Sequence, residues 1–158
     1  MRKKLALYGY GGHAREVASQ INKEVVYFVD EEYVCDQTQS IKNFDPSKYL
    51  IMVAIADSSL RKSAVERLPA ETEFFSFIHE TSLITGDVEM GEGSFVGAYS
   101  ILTTNIKIGK HAILNRGNHI GHDCLIGDYF SIMPGGIVGG NVSIGNRSEE
   151  HTSELQSH

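Results

Sequence analysis

The stretch ITGDVE MGEGSF VGAYSI LTTNIK IGKHAI LNRGNH IGHDCL IGDYFS IMPGGI VGGNVS IGN, residues 84–146, decides the fold once it is written in sixes. Every block opens on an aliphatic residue: Ile84, Met90, Val96, Leu102, Ile108, Leu114, Ile120, Ile126, Ile132, Val138 and Ile144. At ~40% apolar content, such an unbroken column arises by chance on the order of once in tens of thousands per register. A period of six fits neither the 3.6 of a helix nor the 2 of a flat strand. It fits a chain that turns a corner every six residues, three corners to a coil, as in hexapeptide β-helices. Gly91, Gly97, Gly109, Gly121, Gly127, Gly139 and Gly145 follow the aliphatic positions. They are expected either to relieve crowding or to permit an unusual dihedral at the corner. Smaller residues four places on (Val88, Ser94, Ser100, Ala112, Cys124, Val142) are expected to fill the rest of the interior.

Upstream the periodicity changes. Leu5-Ala-Leu-Tyr8 reads as a buried strand running into Gly9-Tyr-Gly-Gly-His13, and Ala14, Val17, Ala18 and Ile21 mark one face of a helix. Val25-Val-Tyr-Phe-Val29 and Tyr49-Leu-Ile-Met-Val-Ala-Ile55 read as further strands. Asp57-Ser58 offers an N-cap for a helix with Leu60, Ala64 and Leu68 inward, and Glu73 to Ile78 reads as a fourth strand. Alternating strands and helices imply a parallel sheet, here about the size of one mononucleotide-binding half. The expected fold is therefore α/β plus β-helix: a small Rossmann-like domain over residues 1–80, then a left-handed parallel β-helix over residues 81–146.

The ruler breaks after Asn146, where the next inward positions are Glu150 and Gln156. Neither suits a dry prism, because burying their polar groups unpaired is costly. Residues 147–158, RSEEHTSELQSH, resemble the translation of a sequencing-library adapter and are read as a foreign tail. On that reading the natural chain continues with more coils. The net charge is −6, of which the tail's one Arg and three Glu account for −2. An acidic body without basic runs argues against non-specific nucleic-acid binding. Cys35 and Cys124 form no CxxC pair, which suits a reducing cytoplasm. The apolar stretch after Met1-Arg-Lys-Lys is too short for a signal peptide or a membrane span, so a cytoplasmic protein is expected.

Two motifs carry candidate chemistry. Gly9-x-Gly11-x-x-Ala14 has the dinucleotide-fingerprint form, with Asp30 where a ribose-binding acid would stand. Its glycines and helix N-terminus suit a phosphate. The same motif also admits a plain strand-to-helix turn or a nicotinamide cofactor, although the second half of a dinucleotide domain is missing. Asn115-Arg-Gly-Asn-His119-Ile-Gly-His122-Asp123 holds the second motif. A carboxylate beside an imidazole favours the imidazolium and orients the ring, as a general base requires. The alternatives are a solvated polar pair, or a zinc site of the kind found in γ-type carbonic anhydrases, with His111 nearby. Stacking at eighteen residues puts Ile101 and Ile137 against His119, and Thr104 and Gly140 against His122, with no histidine among them.

Taken together, Gly9-Tyr-Gly-Gly-His-Ala14, Phe28-Val-Asp30, Val53-Ala-Ile55, Phe77-Ile-His79, Ile120-Gly-His-Asp-Cys-Leu-Ile-Gly127 and Gly139-Gly-Asn-Val-Ser-Ile-Gly145 resemble a known family. It comprises β-helix sugar acetyltransferases, including UDP-4-amino-sugar N-acetyltransferases of bacillosamine biosynthesis and sialic acid O-acetyltransferases. The resemblance spans residues 3–146. It implies a homotrimer with active sites between neighbouring β-helices, acetyl-CoA as donor without a metal, and a nucleotide sugar held by the α/β domain. It places Gly11, Gly12 and His13 at the nucleotide sugar, with Asp30 and Glu31 on its uridine side. It makes His122 the general base, with Asp123 in place of the usual Glu, and Asn115 a positioner of the acceptor. Gly140 N–H would meet the acetyl carbonyl, and Ser131 stands near the coenzyme where the family often has His. The expected reaction is N-acetylation of a UDP-linked amino-deoxy sugar. The alternatives are O-acetylation of sialic acid and a non-catalytic nucleotide-sugar-binding module.

Overall fold

A computed structural model describes residues 2–150 and 154–155, which fall into two compact units, Met1–Phe75 and Ser76–His158. In the first unit the chain runs β1 (Lys4–Tyr8), α1 (Gly12–Ile21), β2 (Val25–Val29), β3 (Thr38–Ser40), β4 (Tyr49–Val53) and α2 (Ser58–Glu66). The strands form one sheet in the order β3-β2-β1-β4, every pairing parallel. Central β1 buries Ala6 and Leu7 completely, and Phe28 and Ile51 close the core on either side. α1 turns Ala14, Val17 and Ile21 inward, the stripe expected of an amphipathic helix, and ends at Asn22 in the left-handed region.

Three features of this unit depart from the sequence reading. Thr38-Gln-Ser40 carries no alternation of apolar and polar residues, yet it adds an edge strand through backbone pairing with Tyr27, Phe28 and Val29. α2 is capped by Asp57, whose carboxylate accepts the Leu60 N–H at 2.8 Å, but its inward face is Ser58, Arg61 and Ala64. Leu60 is instead 62% exposed. Arg61 sets this rotation: it is fully buried and donates through Nη1 to the carbonyls of Ile55 and Ala56 at 2.7 and 2.9 Å. A buried guanidinium costs several kcal/mol unless bonded in this way. Finally, Glu73 to Ile78 is not one strand. Phe74 bridges Ile51, whereas Phe77–Ile78 pairs with Phe95–Val96 in the second unit.

The second unit is a left-handed parallel β-helix. Its short strands stack into three parallel sheets. One contains Val88–Met90, Ile106–Ile108, Leu125–Ile126 and Ser143–Ile144. The other two are built around Ile113–Leu114 and His119–Ile120. As far as Glu149–Glu150 each strand pairs with the one eighteen residues on, as Ile120 does with Leu102 and Val138. From Val96 to Val138 every ruler residue is buried, while Ile84, Met90 and Ile144 at the ends are partly exposed. The column four places on is not restricted to small residues. It also buries Ile106, Asn118 and Phe130. Its polar members are satisfied across coils: Ser94 Oγ donates to Gly109 O and accepts the Ala112 N–H, and Asn118 Oδ1 accepts the Gly136 N–H at 2.7 Å.

Gly91, Gly97, Gly109, Gly121 and Gly127 serve close approach rather than dihedral freedom. A Cβ at Gly121 would stand 2.6 Å from the Gly140 backbone nitrogen, so only hydrogen fits between the coils. Positive φ falls two residues later in each repeat from Met90 on: Gly93, Tyr99, Asn105, His111, Gly117, Asp123, Tyr129, Gly135, Asn141 and Arg147. Beyond Asn146 the ladder continues, with Glu149–Glu150 paired to Ser131–Ile132 and Glu154–Leu155 to Ile137–Val138. Backbone pairing needs no inward side chain, so it outlasts the ruler. Residues 151–153 and 156–158 of the tail lie outside the described residues. Among the described residues no helix is long and apolar enough to cross a membrane.

Candidate active site

In the first unit, the C-terminal ends of β1 and β2 and the flank of α2 enclose a cleft of about 520 Å³. Tyr8, Gly9, Gly11, Asp30, Leu60 and Arg67 are among its lining residues. Gly9 has φ +126°, and a Cβ there would stand 2.9 Å from Ala54 O, so glycine is required by the turn itself. Gly11 and Gly12 have open space where a Cβ would be, and Gly11 occupies the N-cap of α1. The helix N–H groups there make an electropositive end suited to a phosphate.

Asp30 is held on two sides. Tyr8 Oη donates to Asp30 Oδ1 at 2.6 Å, and Arg67 donates to both carboxylate oxygens at 3.1 and 3.5 Å. Burial first, and this bond second, raise the Tyr8 phenol well above its ordinary value, so it remains a donor. His13 is pushed the other way: burial, then the charge of Arg61, lower its imidazole, so the ring is neutral near pH 7. Glu31 does not line the cleft. It pairs with Lys42, and its neighbours Glu32 and Tyr33 take the lining positions, because the turn Glu31–Tyr33 is 3-10 helical and directs successive side chains apart. Tyr8, Arg67 and Leu60 carry no motif. Only the end of a strand beside a glycine turn marks Tyr8, and nothing local marks Arg67.

In the second unit, His122 and Asp123 stand on an exposed corner of the β-helix. His122 Nδ1 lies 2.7 Å from Asp123 Oδ2, and Asn105 Nδ2 donates to Asp123 Oδ1 at 2.6 Å. Hydrogen bonds from Asn105 and then His122 hold the Asp123 carboxyl below the ordinary carboxylate value. An ionised acceptor at Nδ1 places the imidazole proton there and leaves Nε2 as the basic atom. Gly140 packs against the ring, as the eighteen-residue stacking requires. Asn105 escapes sequence reasoning centred on the histidine motif, although the same eighteen-residue spacing from Asp123 points to it.

The other candidates stand elsewhere. Asn115 lies on a different sheet and spends its amide on the Ile132 carbonyl at 2.9 Å, a bond that ties adjacent coils together. Ser131 is half-buried in the strand Ser131–Ile132, between Ile113 and Glu149. His119 faces Ile101 and Ile137, and His111 is buried in another corner column, stacked on Tyr129 at 5.2 Å. Among the described residues no three His, Cys, Asp or Glu side chains gather as metal ligands.

Comparison with known proteins agrees with this architecture. Residues 4–68 match the family described as "PglD N-terminal domain". The chain is 24% identical over 156 residues to GDP-perosamine N-acetyltransferase of Escherichia coli O157:H7, covering 87% of this chain and 71% of that protein. WeeI from Acinetobacter baumannii AYE superposes with a TM-score of 0.82 at 25% identity, over 94% of this chain and 77% of that one. A perosamine N-acetyltransferase from Caulobacter crescentus, solved with CoA and GDP-perosamine, shares the fold with a TM-score of 0.79 at 22% identity, over 92% and 76% of the two chains. The chain is thus similar in sequence and fold to sugar acetyltransferases in which an N-terminal domain precedes a left-handed β-helix.

Proposed function

We propose that the protein transfers the acetyl group of acetyl-CoA to the 4-amino group of a deoxy sugar carried on a nucleoside diphosphate. The observation that carries this reading is the His122–Asp123 pair, with Nδ1 engaged and Nε2 against Gly140. In the cleft of the first unit, the N-terminus of α1 at Gly11 and Gly12 binds the diphosphate. Asp30, held by Tyr8 and Arg67, faces the nucleoside.

His122 Nε2 takes the proton of the attacking amine as the C–N bond forms. The resulting oxyanion is met by backbone N–H groups, that of Gly140 among them. The C–S bond then breaks and the imidazolium returns its proton to the departing thiolate. Both substrates meet in one step, so no acetyl-enzyme is required. Asp123 orients the ring and stabilises its charged form. Ser131 lies toward the coenzyme, and Asn115 acts through coil packing rather than by touching the acceptor. A homotrimer in the cytoplasm is the assembly and setting that go with this reading.

The test is thiol release from acetyl-CoA on addition of UDP-linked and GDP-linked 4-amino-6-deoxy sugars in turn. Sialic acid is offered separately. Release with either nucleotide sugar and loss in His122→Ala support the proposal, and the preferred nucleotide identifies the carrier. Release with sialic acid alone moves the protein to O-acetylation.

A further inference from the structure

We infer that Asn105, one coil below the motif, is a positioning residue: its side-chain amide turns the Asp123 carboxylate so that Oδ2 meets His122 Nδ1. The inference rests on the reading of His122 as the base. Asn105 and Asp123 occupy the same corner eighteen residues apart, both in the left-handed region with φ +53° and +57°. Asp123 N–H donates to the carbonyl of Thr104 at 3.1 Å, which fixes the height of one corner on the other. Asn105 Nδ2 then reaches Oδ1 at 2.6 Å while Oδ2 is left for the imidazole at 2.7 Å. An ionised carboxylate only accepts, so the amide nitrogen must face it.

The need for a second anchor follows from exposure. The side chains of His122 and Asp123 are 62% and 50% exposed. A solvated pair of this kind is weakly oriented by itself, since water competes for both partners. Asn105 supplies a donor fixed to the rigid coil beneath, and a carboxylate with both oxygens bound cannot rotate freely. Asn is also favoured at left-handed corners for its backbone alone. Asn141, at the corner above Asp123, takes the same left-handed conformation with φ +60°. The experiment therefore has to separate the amide from the backbone.

Asn105→Gly keeps the left-handed corner and removes the amide. Asn105→Asp keeps the shape and sets a second carboxylate against the first. Carboxyl ¹³C titration of Asp123 and imidazole ¹⁵N shifts of His122 are read in both variants alongside thiol release. The expected result is an Asp123 midpoint moved upward in Asn105→Gly and further upward in Asn105→Asp, with a changed His122 tautomer balance. With it comes a kcat loss on the order of tenfold at unchanged KM for acetyl-CoA. In an Asp123→Asn background the Asn105→Gly change should cost nothing further. Unmoved Asp123 titration and His122 shifts in Asn105→Gly overturn the inference whatever the activity. Shifted resonances in a protein whose His122→Ala variant still turns over uphold the positioning and remove only the acetyl-transfer role of His122.

Discussion

Gly140 lies directly against the imidazole of His122: a Cβ built on it would run into Nε2 and stand 2.7 Å from Cε1. The contact is far inside van der Waals range, and the obstacle is a side chain on an exposed corner that can swing away. Gly140→Ala is therefore expected to move the imidazole rather than unfold the coil. Thiol release should fall by about 10- to 100-fold, with the melting temperature nearly unchanged. Gly145→Ala is the control, since nothing lies within 4 Å of a Cβ there. Equal activity in the two variants would sink the proposed placement of Nε2.

Removal of the imidazole itself is the more severe change. His122→Ala should lose roughly 10²- to 10⁴-fold in kcat, the range of a general base, while KM for acetyl-CoA changes little. Asp123→Asn retains a neutral partner for Nδ1 and should lose less. Steady-state kinetics on both variants checks the ordering. A larger loss in Asp123→Asn than in His122→Ala contradicts the roles assigned.

The repeat glycines predict a stability effect of a different kind. At Gly121 a Cβ meets backbone, 2.6 Å from Gly140 N and 2.8 Å from Gly139 C, and backbone cannot swing aside. Gly121→Ala should destabilise the β-helix by about 1–3 kcal/mol, the usual cost of overpacking a tight interior. Denaturant titration followed by circular dichroism measures it. A midpoint equal to that of Gly145→Ala would show that the coils can part without cost.

The glycine turn of the first unit separates structure from binding. Gly9→Ala forces a side chain onto φ +126° and against Ala54 O, and is expected to cost about 1–3 kcal/mol of stability. Gly11→Ala meets no atom within 4 Å and should fold normally. Because it intrudes on space proposed for the diphosphate, it should instead weaken nucleotide-sugar binding in a calorimetric titration. Unaltered binding by Gly11→Ala would move the ligand away from this turn.

His13 makes the stability of the first unit depend on pH. Its folded-state pKa lies below the ordinary 6.5 because of burial and Arg61. Between those two values the unfolded chain binds more proton than the folded one, so stability rises with pH through that window and falls as pH drops below about 6.5. Urea midpoints at about pH 5 and about pH 8 should differ more in the unaltered chain than in His13→Gln. An identical difference in both would mean that His13 is not the group responsible.

The six-residue ruler dictated the β-helix because a buried aliphatic column at that spacing has one geometrical solution. Burial from Val96 to Val138 and the pairing of Ile120 with Leu102 and Val138 follow it directly. The alternation of Leu5–Tyr8 and Val25–Val29 with the helix of Ala14, Val17 and Ile21 was legible for the same reason: burial leaves a period. So was the neighbourhood of His122 and Asp123, since they adjoin in sequence. Long-range polar contacts leave no period. Arg61 turned α2 and exposed Leu60 through bonds to carbonyls that no local pattern announces. Tyr8 and Arg67 met on Asp30 only because the sheet order brings β1, β2 and the end of α2 together. Whether each repeat glycine answered a dihedral or a clash was likewise decided in three dimensions. The clash is with the coil above, eighteen residues away, and a chain read one residue at a time does not contain that distance.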